Sequence, residues 1–309
     1  MRSAGLGWSL LLLCCAAAAD VIPDGAPWVQ LPFELVTGKP MIAVQANGVR
    51  GRMLFDNGTP DKMFFNRDAL ALAPGVEVGR GRAASGQQIL VQLADAPKVT
   101  ISGRPIALPA KVPTGNFGFV KEAFGDDFLG FIGTPFMQPH AFVLDYGRRV
   151  VTFVRVDAAG NLPMAQPAAA DVVAEVNFML HKGEQPTTAA VVGGVPMLLD
   201  FDTGDEGTLY LRPETRRKLV AAGQIQADGP HLVVATLAFG GARFTKVRVL
   251  VREAGGADDF RPSGPADFLR LGSDFLAQHP SLWNFPAYRL TFLKPDSAFL
   301  KVTAPPGLR

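Results

Sequence analysis

Beyond residue 15 this 309-residue chain has no cysteine; Cys14 and Cys15 both stand in its opening segment. A fold built from the remainder therefore has no disulfide, no thiol nucleophile and no Cys-ligated zinc. Histidine is scarce as well. His140, His181, His231 and His279 are the full set, and none stands in an HExxH spacing, so no metal or other cofactor is expected. Neither sign of charge dominates: 30 Lys and Arg against 28 Asp and Glu leave a net charge of +2, with no basic tract. Nothing in that balance calls for nucleic acid. Long hydrophobic runs are missing too. The apolar stretch from Trp8 to Cys15 falls well short of the ~20 residues that cross a bilayer, so stable membrane insertion is not expected. What the chain has is apolar mass. Hydrophobic residues make up 48% and charged residues 19%, enough to bury a core without covalent help.

The opening segment reads as a signal peptide over residues 1–19. Arg2 supplies a positive start, Trp8 to Cys15 an apolar core, and Ala16-Ala17-Ala18-Ala19 an Ala-x-Ala cleavage site. The mature protein is expected to be periplasmic or secreted. Lipoprotein anchoring at Cys14 or Cys15 is disfavoured, because Leu13 stands where a small residue is needed.

The most informative stretch is Leu198-Leu199-Asp200-Phe201-Asp202-Thr203-Gly204, where an apolar strand ends in a carboxylate and a turn. Met53-Leu54-Phe55-Asp56-Asn57-Gly58 has the same shape. The likeness extends along the chain at constant spacing. Gly48 and Gly194, Asp56 and Asp202, Gly58 and Gly204, and Phe64 and Tyr210 are each 146 apart. Further on, Gly133 and Gly272, Phe136 and Phe275, His140 and His279, and Phe153 and Phe292 are each 139 apart. One offset before a variable middle and another after it mark an internal duplication with a net deletion in the second copy. The expected division is a first unit over 20–159, an Ala- and Pro-rich linker over 160–170, and a second unit over 171–309.

Both units read as strand-rich. In the first, Ile42–Ala46 and Gly51–Phe55 flank the hairpin signal Asn47-Gly48. A short helix is expected after Asn66. Gly79–Gly86 reads as a loop or hairpin tip, and Ile89–Leu93, Lys98–Ile101 and Ile106–Val112 read as strands. Asn116–Asp127 reads as a loop, and Ala141–Tyr146 and Arg149–Val154 as a closing strand pair. The second unit repeats this order, with a helix over 213–223 and strands over 232–239 and 244–251. Residues 20–40 read as an irregular lead-in.

Two carboxylates, one per copy, suit a chemistry that needs a pair. Brought together at a pseudo-two-fold axis, like charges at ~3 Å cannot both ionise, so one proton is shared. One carboxylate then acts as general base on a water, and the protonated one polarises a peptide carbonyl. Gly58 and Gly204 let backbone approach the carboxylates, the Thr203 hydroxyl can reach the opposite loop, and the apolar strands dry the site.

Asp202-Thr203-Gly204 after an apolar strand, with Phe131-Ile132-Gly133 and the looser Leu269-Arg270-Leu271-Gly272 further on, resembles the aspartic peptidases. The short copies and the closing Gly-x-x-Phe before a strand pair resemble retropepsin-type domains in tandem, over about residues 41–154 and 187–294. The resemblance implies an all-β fold of two pseudo-two-fold-related acid-protease β-barrel lobes with a cleft between them, in a monomer that is an internal pseudo-dimer. It implies an aspartic-type endopeptidase acting on a peptide or protein substrate through catalytic Asp56 and Asp202, with Asn57, Gly58, Thr59, Thr203 and Gly204 supporting the loops. It also implies a hairpin flap, for which Gly79–Leu93 with Ala84, Ser85 and Gly86 at its tip is the candidate; Ala227–Pro230 is a weaker one in the second copy.

Two positions depart from the family pattern. The family places Thr or Ser after the aspartate, and the first copy has Asn57. Asp205 adds an acid three residues after Asp202, with Asp200 on the other side. Pointing inward, these acids raise the pair's pKa values; pointing outward, they change little. The departures keep a second function open, a catalytically inactive pepsin-fold protein binding a peptide or other ligand, and a third in which the aspartates only stabilise turns. Among other residues, His140 and His279 read as helix-terminating or surface positions, Trp283 and Phe285 as core, Arg216-Arg217-Lys218 as a solvated helix face, and Arg80 and Arg82 as solvent-facing.

Overall fold

The computed structural model describes residues 20–82, 87–181, 185–228, 231–255 and 266–302. Strand accounts for 51% and helix for 13%, so the protein is all-β in character. Among the described residues no helix is long and apolar enough to cross a membrane.

At the centre lies a six-stranded antiparallel sheet to which both copies contribute. Its order is Val172–Asn177, Arg289–Leu293, Ser281–Asn284, Ala141–Asp145, Val150–Val154 and Trp28–Val36. The middle pairing joins the copies, with Phe142 opposite Trp283, Val143 opposite Leu282 and Leu144 opposite Ser281. Val143 and Leu282 are 139 apart, the spacing of the distal repeat. Exchanging the copies therefore maps this register onto itself about the Val143–Leu282 pair. Phe142 and Trp283, both fully buried, stack with centroids 5.6 Å apart.

From this sheet the first copy continues without a break. Trp28–Val36 pairs with Lys39–Ala46, and Val49–Phe55, Phe128–Ile132, Met63–Asn66, Lys111–Gly115, Gln88–Asp95 and Val76–Arg82 follow in order. In the second copy the matching strand is interrupted at Phe178, and the remaining strands form a separate sheet. That sheet closes on itself. Gln185–Val192, Val195–Phe201, Phe268–Leu271, Thr208–Leu211, Ala242–Glu253 and His231–Phe239 follow one another, and the last pairs back to the first at Val191 and Val192. The Asn47-Gly48 hairpin forms as expected, with both residues at positive φ, the geometry that joins two twisted strands in two residues.

Several expectations need correction. The lead-in contains the nine-residue strand Trp28–Val36, whose apolar alternation is masked by Pro32 and Glu34. Ile106–Val112 is not one strand: Arg104–Ile106 ends before Pro109, and Lys111–Gly115 begins after it. The Asn116–Asp127 loop carries two short helical turns, Gly118–Val120 and Lys121–Phe124. Gly79–Arg82 belongs to strand Val76–Arg82. The flap-tip residues Ala84, Ser85 and Gly86 lie outside the described residues, as do Gly229 and Pro230 of the weaker flap candidate; the strands on either side of both tips pair as antiparallel hairpins.

Candidate active site

Each candidate aspartate leaves a strand held by a parallel neighbour. Asp56 N–H donates to the Ile132 carbonyl at 2.9 Å and Asp202 N–H to that of Leu271 at 3.0 Å, equivalent bonds in the two copies. Gly133 and Gly272, next in those neighbours, lie against the backbone of the Thr59–Asp61 and Asp205–Gly207 loops, where no side chain would fit. The loops are thus clamped between their own strand and the segment that begins the following helical turn.

The two loops then meet. A Cβ on Gly58 would lie 2.7 Å from Asp202 Oδ2, and one on Gly204 would lie 2.5 Å from Asp56 Oδ1, so each glycine is the surface on which the opposite carboxylate rests. Each carboxylate also accepts from its own loop, Asp56 Oδ1 from Gly58 N–H at 2.8 Å and Asp202 Oδ1 from Gly204 N–H at 2.9 Å. The cross-links are reciprocal. Thr203 Oγ1 donates to the Phe55 carbonyl at 2.6 Å and accepts from Asn57 N–H at 3.1 Å. Asn57 Nδ2 donates to the Phe201 carbonyl at 2.7 Å, and its Oδ1 accepts from Thr203 N–H at 2.7 Å. Asn57, a departure in sequence, makes the same two links as Thr203, and both side chains are fully buried. Thr59, the remaining loop candidate, donates its hydroxyl to Asp56 Oδ2 at 2.8 Å.

Burial, and then the charge of Asp202, push the Asp56 carboxyl up to about 7. The neighbouring acids Asp200 and Asp205 point inward, toward Arg270, and neither is among the causes that raise Asp56. Asp200 is fully buried and raised to about 6, chiefly by burial and against the pull of Arg270. Burial also raises Asp205, whose Oδ1 accepts from Gly207 N–H and Thr208 Oγ1.

Sequence reasoning missed that Arg270 lies against the candidate pair, reading it as part of a loose apolar segment. Its side chain is buried between Asp200, at 2.8 Å, and Asp202 Oδ2, at 3.3 Å. Gln185 accepts from Arg270 Nη2 at 3.3 Å and donates to Asp202 Oδ2 at 3.5 Å. The signal lay in the repeat: at the two positions where the first copy has Leu54 and Phe131, the second has an acid and a base. His140 and His279 end their helical turns as expected, His140 N–H donating to the Met137 carbonyl at 3.0 Å and His279 N–H to that of Leu276 at 3.3 Å, but neither is exposed. His140 is buried with Nε2 3.1 Å from Asp20 Oδ1, and His279 packs among Phe244, Phe275 and Phe292 with its pKa lowered by burial. Both lie in the packing beside the closing strands and take no part in the site. Arg80 is exposed and ion-paired to Glu77, and Arg216, Arg217 and Lys218 are exposed, as expected.

No protein-family model matches the chain, and no curated protein matches it. Among solved structures it is similar to basic 7S globulin from soybean, with a TM-score of 0.53 and 12% sequence identity over 89% of this chain and 96% of that one. The fold this defines is pepsin-like. At that identity the likeness concerns the fold alone, and fold does not decide activity.

Proposed function

We propose that this protein is an aspartic-type endopeptidase, with two lobes, residues 20–159 and 171–309, facing each other across a cleft and joined by residues 160–170. Asp56 and Asp202 activate the water that attacks a peptide carbonyl. The observation that carries the reading is reciprocal seating: each carboxylate rests on the opposite loop's glycine, and Asn57 and Thr203 tie the loops together. A turn-stabilising aspartate has no need of a partner glycine from a loop 146 residues away.

In this reading the ionised carboxylate takes a proton from water as the oxygen attacks the carbonyl carbon, and the protonated carboxyl gives its proton to the carbonyl oxygen. Collapse of the tetrahedral diol breaks the C–N bond. The leaving amine takes the proton the base had gained, and the diol hydroxyl returns one to the other carboxyl. The hairpin of Val76–Arg82 and Gln88–Asp95, with Ala84, Ser85 and Gly86 at its tip, serves as the flap. The substrate is a peptide or protein, and the setting is the periplasm or the exterior, reached through the signal peptide.

A second reading, a ligand-binding protein of the same fold without catalysis, is favoured by one observation, the ion pair between Arg270 and Asp202. A working dyad binds a statine inhibitor selectively because the inhibitor mimics the tetrahedral intermediate; a passive cleft does not distinguish it from substrate-like peptide. The deciding experiment is cleavage of a mixed peptide library by the mature protein from pH 3 to 8, beside Asp56→Asn and Asp202→Asn. Cleavage by the wild type alone supports the peptidase. No cleavage at any pH, or equal cleavage by the variants, overturns it.

A further inference from the structure

The two copies bring the same strand pair to the dyad but dress it differently. Val49–Phe55 runs parallel to Phe128–Ile132 with Leu54 opposite Phe131; Val195–Phe201 runs parallel to Phe268–Leu271 with Asp200 opposite Arg270. The repeat offsets make these equivalent, since Leu54 and Asp200 differ by 146 and Phe131 and Arg270 by 139. An apolar pair beside Asp56 thus corresponds to a buried ion pair beside Asp202. A second substitution accompanies it. Thr59 and Asp205 also differ by 146. The Thr59 hydroxyl donates to Asp56, whereas the acid in its place turns to Gly207 and Thr208, and its other oxygen lies 4.0 Å from Arg270. Asp56 therefore has a neutral hydroxyl donor where Asp202 has a guanidinium.

We propose that Arg270 is a positioning residue that breaks the symmetry of the pair, holding the negative charge on Asp202 and leaving the shared proton on Asp56. The geometry assigns each nitrogen of the guanidinium. Nε lies 3.0 Å from Asp200 Oδ1, Nη2 lies 2.8 Å from Asp200 Oδ2, and Nη1 is turned to Asp202 Oδ2. Asp200 thus fixes the plane of the guanidinium, and the remaining edge is presented to Asp202. Among the described residues no ion pair involves Asp56. An opposite charge within about 4 Å favours the ionised form, more so where water is excluded. The charged and titratable groups around Asp202 come from every element packed on it: Asp200 from its own strand, Asp205 from its loop, Arg270 from the parallel strand, Asp56 from the opposite loop, and Tyr146 from beyond Ala141–Asp145, whose buried hydroxyl is raised by burial and by the Asp202 charge. Arg270 is the one cation among them. Resting on the peptidase reading, the consequence is a fixed division of labour in which Asp202 takes the proton of the water and Asp56 supplies one to the carbonyl.

The test reads protonation directly, so it stands apart from whether the protein cleaves anything. In mature protein labelled with ¹³C at the aspartate carboxyl carbon, the Asp56 and Asp202 signals are assigned through Asp56→Asn and Asp202→Asn and followed from pH 3 to 9. Asp202 is expected to titrate below Asp56. Arg270→Gln should raise the Asp202 midpoint by at least about one pH unit, a tenfold change in proton affinity. Asp200→Asn, which frees more of the Arg270 charge for Asp202, should lower it. A purely structural role would not move the two variants in opposite directions. Should Arg270→Gln fail to fold, Asp200→Leu with Arg270→Phe copies the first-copy pair and should bring the two midpoints together. An Asp202 midpoint at or above that of Asp56 in the wild type, or unmoved when Arg270 is replaced, overturns the proposal. Where the wild type cleaves peptide, the acid limb of kcat/KM should follow the Asp202 midpoint in each variant.

Discussion

Asn57 does with one amide what Thr203 does with a hydroxyl, and the longer side chain succeeds because an amide carries both a donor and an acceptor at the same reach. Replacing it leaves the Phe201 carbonyl and the Thr203 N–H buried without their partners. Asn57→Ala should therefore cost about 2–4 kcal/mol in urea unfolding, and Asn57→Thr clearly less, since a hydroxyl there restores the link to Phe201 that Thr203 makes to Phe55. Asp56 sets a pH signature at the same scale. Its folded-state pKa, about 7, lies above the ordinary carboxylate value, so the native state holds a proton that the unfolded chain has released. Its contribution is fully present below about pH 4 and is lost as the pH rises through 7. Asp200, raised to about 6, acts in the same direction. Stability should fall between pH 4.5 and 7.5, and Asp56→Asn should flatten that fall. Calorimetric melting at the two pH values checks this, and an unchanged slope in the variant would contradict it.

Among the elements, the parallel strand pair under each aspartate carries the design. In the first copy the pair is packed by apolar side chains; in the second it encloses Asp200 and Arg270, both nearly without exposure. Asp200→Ala should cost about 3–5 kcal/mol, because it leaves Nε of a buried guanidinium without its carboxylate and Nη2 with Gln185 alone, whereas Asp200→Leu combined with Arg270→Phe should cost less than either replacement alone. Denaturant unfolding of Asp200→Ala, of each single replacement and of the double variant tests this. Val49–Phe55 and Val195–Phe201 were legible in the sequence, since apolar runs ending in Asp-x-Gly announce themselves twice at constant spacing; their parallel partners Phe128–Ile132 and Phe268–Leu271 were read only as a motif before Gly-x-x-Phe, not as strands. The Asn47-Gly48 turn was legible for the same local reason. Trp28–Val36 and Val172–Asn177 were not, because their partners, Val150–Val154 and Arg289–Leu293, lie more than 100 residues away and their own pattern is broken by proline or polar residues. The aspartates and their loop residues could be read from local motif. The inward turn of Asp200 and Asp205 could not, because it depends on a single arginine that strand pairing brings across from position 270.

For the molecule as a whole, the central sheet decides whether the copies behave as one body. Four of its six strands come from the ends of the two copies, and the middle pairing crosses between them. Trp283 lies at that crossing, stacked on Phe142 from the first copy and on Phe285 from its own, with an edge contact to Phe201 in the strand that ends at Asp202. Removing such a ring opens a cavity that neither copy can refill without moving the other, a loss of about 3–5 kcal/mol for Trp283→Ala. Because the lost packing belongs to both copies, the loss should appear as one shifted transition. Calorimetry and far-ultraviolet circular dichroism should report a single coincident melt for the wild type and a single lower one for the variant. A melt that splits in two, with the Asp56 copy unfolding apart from the Asp202 copy, would mean that the loops bearing the aspartates are held together by Asn57 and Thr203 alone, and the seating of each carboxylate on the opposite glycine would then be lost wherever those two links open.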